Sequence, residues 1–159
     1  MKKIFYYETK IGKIGIVQNN EKITNIYTSD KLSSDGMEVI ETPLIIEVYN
    51  QLNDYLEGKR KSFDFPIDPE GTEFQKKVWK ELQNTPYGET LSYKDIAEKI
   101  GNPKASRAIG MANNKNPILI IIPCHRIIGK NGKLVGYAAG LDMKKQLLEM
   151  EKENKNKND

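Results

Sequence analysis

One cysteine, one histidine and one tryptophan occur in 159 residues, and that scarcity limits the chemistry open to the chain. A single thiol forms no internal disulfide. One cysteine with one histidine falls short of the three or four ligands of a zinc site, so neither a metal nor a cofactor is expected. No apolar run approaches the ~18 residues of a membrane span. The aromatic segment after Met1-Lys2-Lys3 is cut short by Glu8 and Lys10, too soon for a secretory core. These absences predict a cytoplasmic chain in a reducing compartment, with no membrane partner.

Charge is present but unevenly spread. Residues 1–70 carry 9 Lys/Arg against 12 Asp/Glu, whereas residues 92–135 carry 8 cations against 2 acids. Positive charge gathered in one segment is the footprint of a polyanion-facing surface, although charge alone leaves a merely solvated face open.

The first forty residues read as strands over Ile4–Thr9, Lys13–Gln18 and Lys22–Ser29, β-branched or aromatic and broken at Gly12 and Asn19-Asn20. Thr42-Pro43 opens a helix whose Ile45, Val48, Tyr49, Leu52 and Leu56 share a face, and Gly58 ends it. The Pro66–Gly71 stretch is a junction, which divides the chain into domains 1–70 and 71–159. Beyond it Thr72-Glu73-Phe74-Gln75 has a capping-box pattern, and Trp79 is expected in the core. The tail, 153–159, is expected to be disordered.

Ser92-Tyr93-Lys94-Asp95 is a second capping box, and Tyr93, Ile96, Ala97 and Ile100 form an apolar stripe up to Gly101. Asn102 and Pro103 are expected to start the next helix, giving a helix-turn-helix. Ala105, Ala108, Ile109 and Ala112 would then face inward, leaving Ser106, Arg107, Gly110, Asn113 and Asn114 as a small, hydrogen-bonding face. Such a surface suits close approach to a DNA minor groove. The apolar run Ile118–Ile122, read as a strand, leads into Pro123-Cys124-His125-Arg126. Two readings of Cys124 follow: a small buried hydrophobe, or a nucleophile activated by His125 and Arg126.

The Pro123–Arg126 motif, with Gly101-Asn102-Pro103-Lys104-Ala105-Ser106-Arg107-Ala108 before it and Asn116-Pro117 between, resembles the O6-alkylguanine-DNA alkyltransferases. The likeness is specific over about residues 72–151. It implies an α+β protein: a ribonuclease H-like N-terminal α/β domain, then a mainly helical DNA-binding domain. The implied partner is double-stranded DNA containing O6-alkylguanine, with O4-alkylthymine an open alternative, met by a monomer. Carried over by residue, Cys124 accepts the alkyl group, His125 is the base through a bridging water, and Glu151 orients His125. Tyr93 helps rotate the nucleotide and donates to guanine N3, and Asn116 sits at the hinge before the active-site loop. Arg107 fills the vacated place in the stack, with Ala105, Ser106 and Gly110 beside it on the DNA. The Cys124 and Ile127 carbonyls read the guanine amino group, and Tyr137, Ala138 and Ala139 wall the pocket. Arg126 is structural, electrostatic or both. Ala138-Ala139 departs from the family's usual small-residue-then-glycine pattern, so Ala139 is expected to crowd bulky adducts and to lack glycine's freedom at positive φ. A cysteine hydrolase and a non-catalytic DNA-damage sensor are the competing functional classes.

Overall fold

The computed structural model describes residues 1–28, 33–137 and 139–156. They form two compact units, Met1–Glu70 and a second beginning at Gly71.

In the first unit, strands β1 (Lys3–Thr9), β2 (Gly12–Asn19) and β3 (Lys22–Thr28) make an antiparallel meander. A two-residue strand, β4 (Glu38–Val39), adds in parallel to β1, giving the order β3-β2-β1-β4. The sequence reading did not contain β4, which is too short to show alternation. Ser29, the expected last residue of β3, lies outside the described residues. Central β2 is buried without a break from Ile14 to Gln18, the pattern of a strand covered on both faces. Helix α1 (Pro43–Leu56) packs on β1 and β2. Thr42 caps it by accepting from the Ile45 N–H at 3.1 Å, and its own hydroxyl donates to Gln18 Oε1. Ile45, Val48, Leu52 and Leu56 are buried, whereas Tyr49 is half-buried and stacks on Tyr7 with ring centroids 3.9 Å apart.

The second unit is built on helices. Helix α2 (Glu73–Leu82) starts with the Thr72–Gln75 capping box. Trp79 is buried and its Nε1 donates to the Ala112 carbonyl at 2.9 Å, fastening α2 to α4 (Ser106–Asn114). The strand β5 (Leu91–Ser92) runs directly into α3 (Tyr93–Lys99), capped by Ser92 and Asp95. A single 3-10 turn over Cys124–Arg126 leads into β6 (Ile127–Ile128), and α5 (Leu141–Asn154) follows. No helix among the described residues is long and apolar enough to cross a membrane.

Three expectations are corrected here. Helix α4 starts at Ser106 rather than at Asn102-Pro103, because those residues are spent on a turn in which the Ala105 N–H donates to the Asn102 carbonyl. Its buried face is consequently Ile109, Ala112 and Asn113, while Ala108 is exposed. The run 118–122 is no strand: the Ile122 N–H donates back to the Ile118 carbonyl at 3.1 Å. Glu153 and Asn154, expected in a disordered tail, complete the last turn of α5. Residues 157–159 of that tail lie outside the described residues.

Candidate active site

Short elements bring the chemistry together. β5 and β6 pair in parallel, Leu91 opposite Ile127 and Ser92 opposite Ile128. Tyr93 follows β5 directly and the Cys124–Arg126 turn precedes β6 directly. The ladder therefore delivers the first residue of α3 to the cysteine.

Upstream, the chain is bent back on itself. Ile120 sits at φ 73, a left-handed region that β-branched residues avoid, at a cost on the order of 1–3 kcal/mol. Asn116 braces this loop from inside. Its Oδ1 accepts from the Ile118 N–H at 3.0 Å, and its Nδ2 reaches the Ile122 carbonyl at 2.7 Å and Cys124 Sγ at 3.1 Å. Pro123, at φ −80 and ψ 62, forms an inverse γ-turn closed by the Cys124 N–H on the Ile122 carbonyl at 2.8 Å. In the 3-10 turn that follows, successive side chains diverge by about 120°. Three adjacent residues thus face three different surroundings.

Cys124, His125, Arg126 and Glu151 are all buried. His125 Nε2 lies 2.6 Å from Glu151 Oε2. Arg126 grips the same carboxylate, Nε on Oε1 at 2.8 Å and Nη2 on Oε2 at 3.0 Å. Its Nη1 donates to the Thr85 carbonyl at 2.8 Å, and the guanidinium lies 5.5 Å from the Tyr87 ring centroid. The Gly88 N–H adds a contact to Glu151 Oε1 at 3.2 Å.

The electrostatics follow from burial set against these partners. Burial acts to raise the Glu151 pKa, but the hydrogen bonds and charges of His125 and Arg126 outweigh it and hold the carboxyl at about 2. Burial lowers the His125 pKa despite the pull of Glu151, with Arg126 and Lys144 adding to the decrease. A neutral His125 that donates Nε2–H to Glu151 keeps Nδ1 as its basic nitrogen. Burial pushes the Cys124 thiol up to about 11, against the Asn116 hydrogen bond and the charge of Lys144. The resting sulfur is therefore a thiol. Arg126, expected as an activating cation, has its charge engaged by Glu151; the cation acting on Cys124 is Lys144.

Tyr93 is half-buried and its hydroxyl donates to the Val135 carbonyl at 3.0 Å. Burial raises its pKa, the neighbouring Cys124 adds to this, and a hydrogen bond from Asn113 opposes it. Gly110 and Gly136 leave it room: a Cβ on Gly110 would stand 3.8 Å from the Tyr93 ring, and one on Gly136 would stand 3.5 Å from its hydroxyl. Tyr137 is buried edge-on to His125 with centroids 6.5 Å apart, and its hydroxyl has no partner among the described residues. Ile127 is buried. Ala138 lies outside the described residues. Ala139 is half-buried, and the nearby Gly136 (φ 57) and Gly140 (φ 99) adopt positive φ. Arg107 is exposed, and Ala105, Ser106 and Gly110 are half-buried around it. Ser106 also lines an open cavity of about 330 Å³ with Ser92, Tyr93, Lys94 and Lys130.

Two contributors escaped the sequence reading. Asn113, expected on the outer face of α4, is buried and its Nδ2 approaches the Cys124 carbonyl at 3.4 Å. Lys144 is fully buried on α5. The signal for Lys144 was available: the helical spacing that turns Glu151 inward also turns Lys144 and Leu147 inward. Among the described residues no group of three or more His, Cys, Asp or Glu is arranged to hold a metal ion.

Residues 73–153 match the model of the 6-O-methylguanine DNA methyltransferase DNA-binding domain, and residues 3–69 match that of the family's ribonuclease-like domain. The chain belongs to this family. A methylated-DNA–protein-cysteine methyltransferase of Methanosarcina acetivorans is 63% identical over 148 residues, covering 91% of this chain and 95% of that protein. The constitutive enzyme of that name from Bacillus subtilis is 43% identical over 152 residues, covering 91% and 92%. The crystal structure of Mycobacterium tuberculosis O6-methylguanine methyltransferase superposes with a TM-score of 0.88 at 40% identity, covering 97% of this chain and 94% of that one. The Mycobacterium tuberculosis protein in complex with DNA gives 0.90 at 41% identity, covering 96% and 94%. The architecture is accordingly the methyltransferase one, a ribonuclease-like domain followed by a DNA-binding domain.

Proposed function

We propose that this methyltransferase repairs duplex DNA by taking the alkyl group of O6-alkylguanine onto Cys124, once per molecule. The observation that carries the reading is the arrangement around its single cysteine. The sulfur is buried and touched by Asn116, and the next residue, His125, is paired with Glu151 at 2.6 Å. A buried sulfur cannot reach a base inside a duplex, so the damaged nucleotide is flipped out. Arg107 takes its place in the stack, a role supported by its exposure early in α4. Ala105, Ser106 and Gly110 lie along the backbone there.

His125 Nδ1 accepts the thiol proton through a bridging water while Glu151 steadies the imidazolium that forms. The thiolate attacks the alkyl carbon; the S–C bond forms as the C–O6 bond breaks. Negative charge developing on guanine is met by Tyr93 at N3 and by backbone N–H groups near Tyr137, Ala138 and Ala139. The Cys124 and Ile127 carbonyls read the guanine amino group, and Asn116 holds the loop that presents Cys124. The product is a thioether, which neither water nor a second thiol resolves. The protein works as a cytoplasmic monomer, in keeping with its lone free thiol.

The test is intact-protein mass spectrometry after incubation with a duplex bearing O6-methylguanine. One methyl replacing one hydrogen per chain is expected, with none in Cys124→Ser and no second addition on fresh DNA. Released methanol with unmodified protein would point to a hydrolase. Binding without modification would point to a damage sensor.

A further inference from the structure

Helix α4 keeps one large apolar side chain in solvent. Met111 is 67% exposed, on the face opposite the buried Ile109, Ala112 and Asn113. It stands four residues beyond the exposed Arg107, so the two side chains share that face about 6 Å apart along the axis. Ala108 beside it is exposed, and Phe74 of α2 is half-buried. An open cavity of about 260 Å³ lies between the two helices here, with Phe74, Ala108, Met111, Ala112 and Lys115 in its lining. A lone exposed methionine is ordinary. One set in an apolar strip on the outward face of α4 calls for a partner.

The surrounding charge says which partner. Lys104, Arg107 and Lys115 are exposed on the stretch that carries Met111, and no Asp or Glu occurs between Glu98 and Asp142. A protein surface covering Met111 would have to accept that uncompensated positive charge, whereas a duplex supplies phosphates for it. Shape agrees with charge. Arg107 and Met111 are the long side chains here, and their neighbours Ala108, Gly110 and Asn114 are short. The minor groove of B-DNA, roughly 6 Å wide, admits a flexible unbranched side chain. Methionine is also among the apolar residues that minor-groove proteins wedge against base steps.

We propose that Met111 is a second DNA contact of α4, packing into the minor groove on deoxyriboses and base edges one helical turn from the step that Arg107 enters. This rests on α4 being the element that meets the duplex. The two contacts work by different physics. Arg107 and the lysines attract phosphates and lose strength as salt rises. Met111 releases water rather than counterions, so its share of the affinity survives salt. It offers no strong hydrogen bond with which to tell one base pair from another, which suits a protein that meets its lesion in any sequence.

The experiment measures affinity for an undamaged duplex by fluorescence anisotropy across a salt series, from roughly 50 to 200 mM. It compares the unaltered protein with Met111→Ala, Met111→Leu, Arg107→Ala and Lys115→Ala. Alanine at an exposed helical site keeps the helix, and matched melts check the fold. Met111→Ala should bind about tenfold more weakly, the scale of burying most of a methionine side chain, and by the same factor at every salt concentration. Met111→Leu should restore most of that loss. Lys115→Ala should instead flatten the log–log salt dependence by about one. With methyl-labelled methionine, the NMR signal that Met111→Leu removes should show contacts to the sugar and adenine protons lining the minor groove of the bound duplex. Unchanged affinity in Met111→Ala, or a gap that closes with salt, overturns the proposal. So does a Met111 signal that shifts with protein concentration before any DNA is added, which would put a second copy of the chain on this face. If Arg107→Ala and Lys115→Ala also bind unchanged, the placing of α4 on DNA is itself what fails.

Discussion

At Glu151 one carboxylate serves two masters, orienting the imidazole and neutralising the guanidinium. Glu151→Gln keeps the shape but leaves Arg126 buried with its charge uncompensated. Breaking one side of a buried ion pair costs about 3–5 kcal/mol, so chemical denaturation should show a loss of that size. Transfer should slow by roughly 10- to 100-fold as His125 loses its charged acceptor, the scale on which such supporting contacts act. Measured together, the two effects separate the roles: a slower rate with unchanged stability would mean that Arg126 finds another acceptor. Asn116 is a different case, since it contacts both the loop backbone and the sulfur. Asn116→Ala should release the left-handed Ile120 turn, and faster hydrogen exchange at the Ile118 and Ile122 amides than in the unaltered protein is the expected readout.

Among the elements, α4 has two unlike faces, with Arg107 exposed on one and Asn113 buried beside the Cys124 carbonyl on the other. Arg107 is exposed and takes no part in the buried network, so Arg107→Ala should slow repair of duplex substrate far more than reaction with free O6-alkylguanine base. An equal loss on both would mean that Arg107 shapes the pocket instead. The caps were legible because they depend on residues three apart in sequence: Thr72–Gln75, Ser92–Asp95 and Thr42 before Pro43 all sit where the pattern put them. The start of α4 was not. Gly-Asn-Pro fits a helix N-terminus and a free-standing turn equally well, and only the docking of Ile109 and Ala112 decides between them. The helix starts three residues later, with Asn113 inward and Ala108 outward. The run 118–122 misled for a related reason: isoleucines suit a strand, and their burial in a braced loop depends on Asn116, whose side-chain contacts no local pattern reveals. The family motif pointed to Cys124, His125 and Glu151 as candidates, while Lys144 was hidden inside an ordinary-looking charged helix.

On the scale of the whole molecule, pH and salt act through different groups. Glu151 titrates at about 2 in the folded protein against an ordinary 4.5. A carboxyl whose folded pKa is depressed adds stability that is fully present above the unfolded value and is lost as pH falls through the folded one. This group therefore contributes roughly 3 kcal/mol above pH 5, fading between about 4.5 and 2. Acid melts of the unaltered protein should fall through that window, and Glu151→Gln should flatten the fall. Salt acts on the basic stretch 92–135. Affinity for undamaged duplex should drop as salt rises, through release of condensed counterions; an affinity indifferent to salt would remove that stretch from the DNA surface.

The buried, protonated state of Cys124 also bears on how long the protein keeps its capacity. Peroxide, disulfides and small electrophiles attack thiolates that they can reach, and this sulfur offers them neither charge nor access. For a reagent that is spent by its first reaction, such shielding amounts to a shelf life: the cysteine is withheld until a base is delivered to it. In the absence of DNA, Cys124 should therefore outlast free cysteine in peroxide at neutral pH, and mild urea well below the unfolding midpoint should erase the difference as the sulfur becomes exposed.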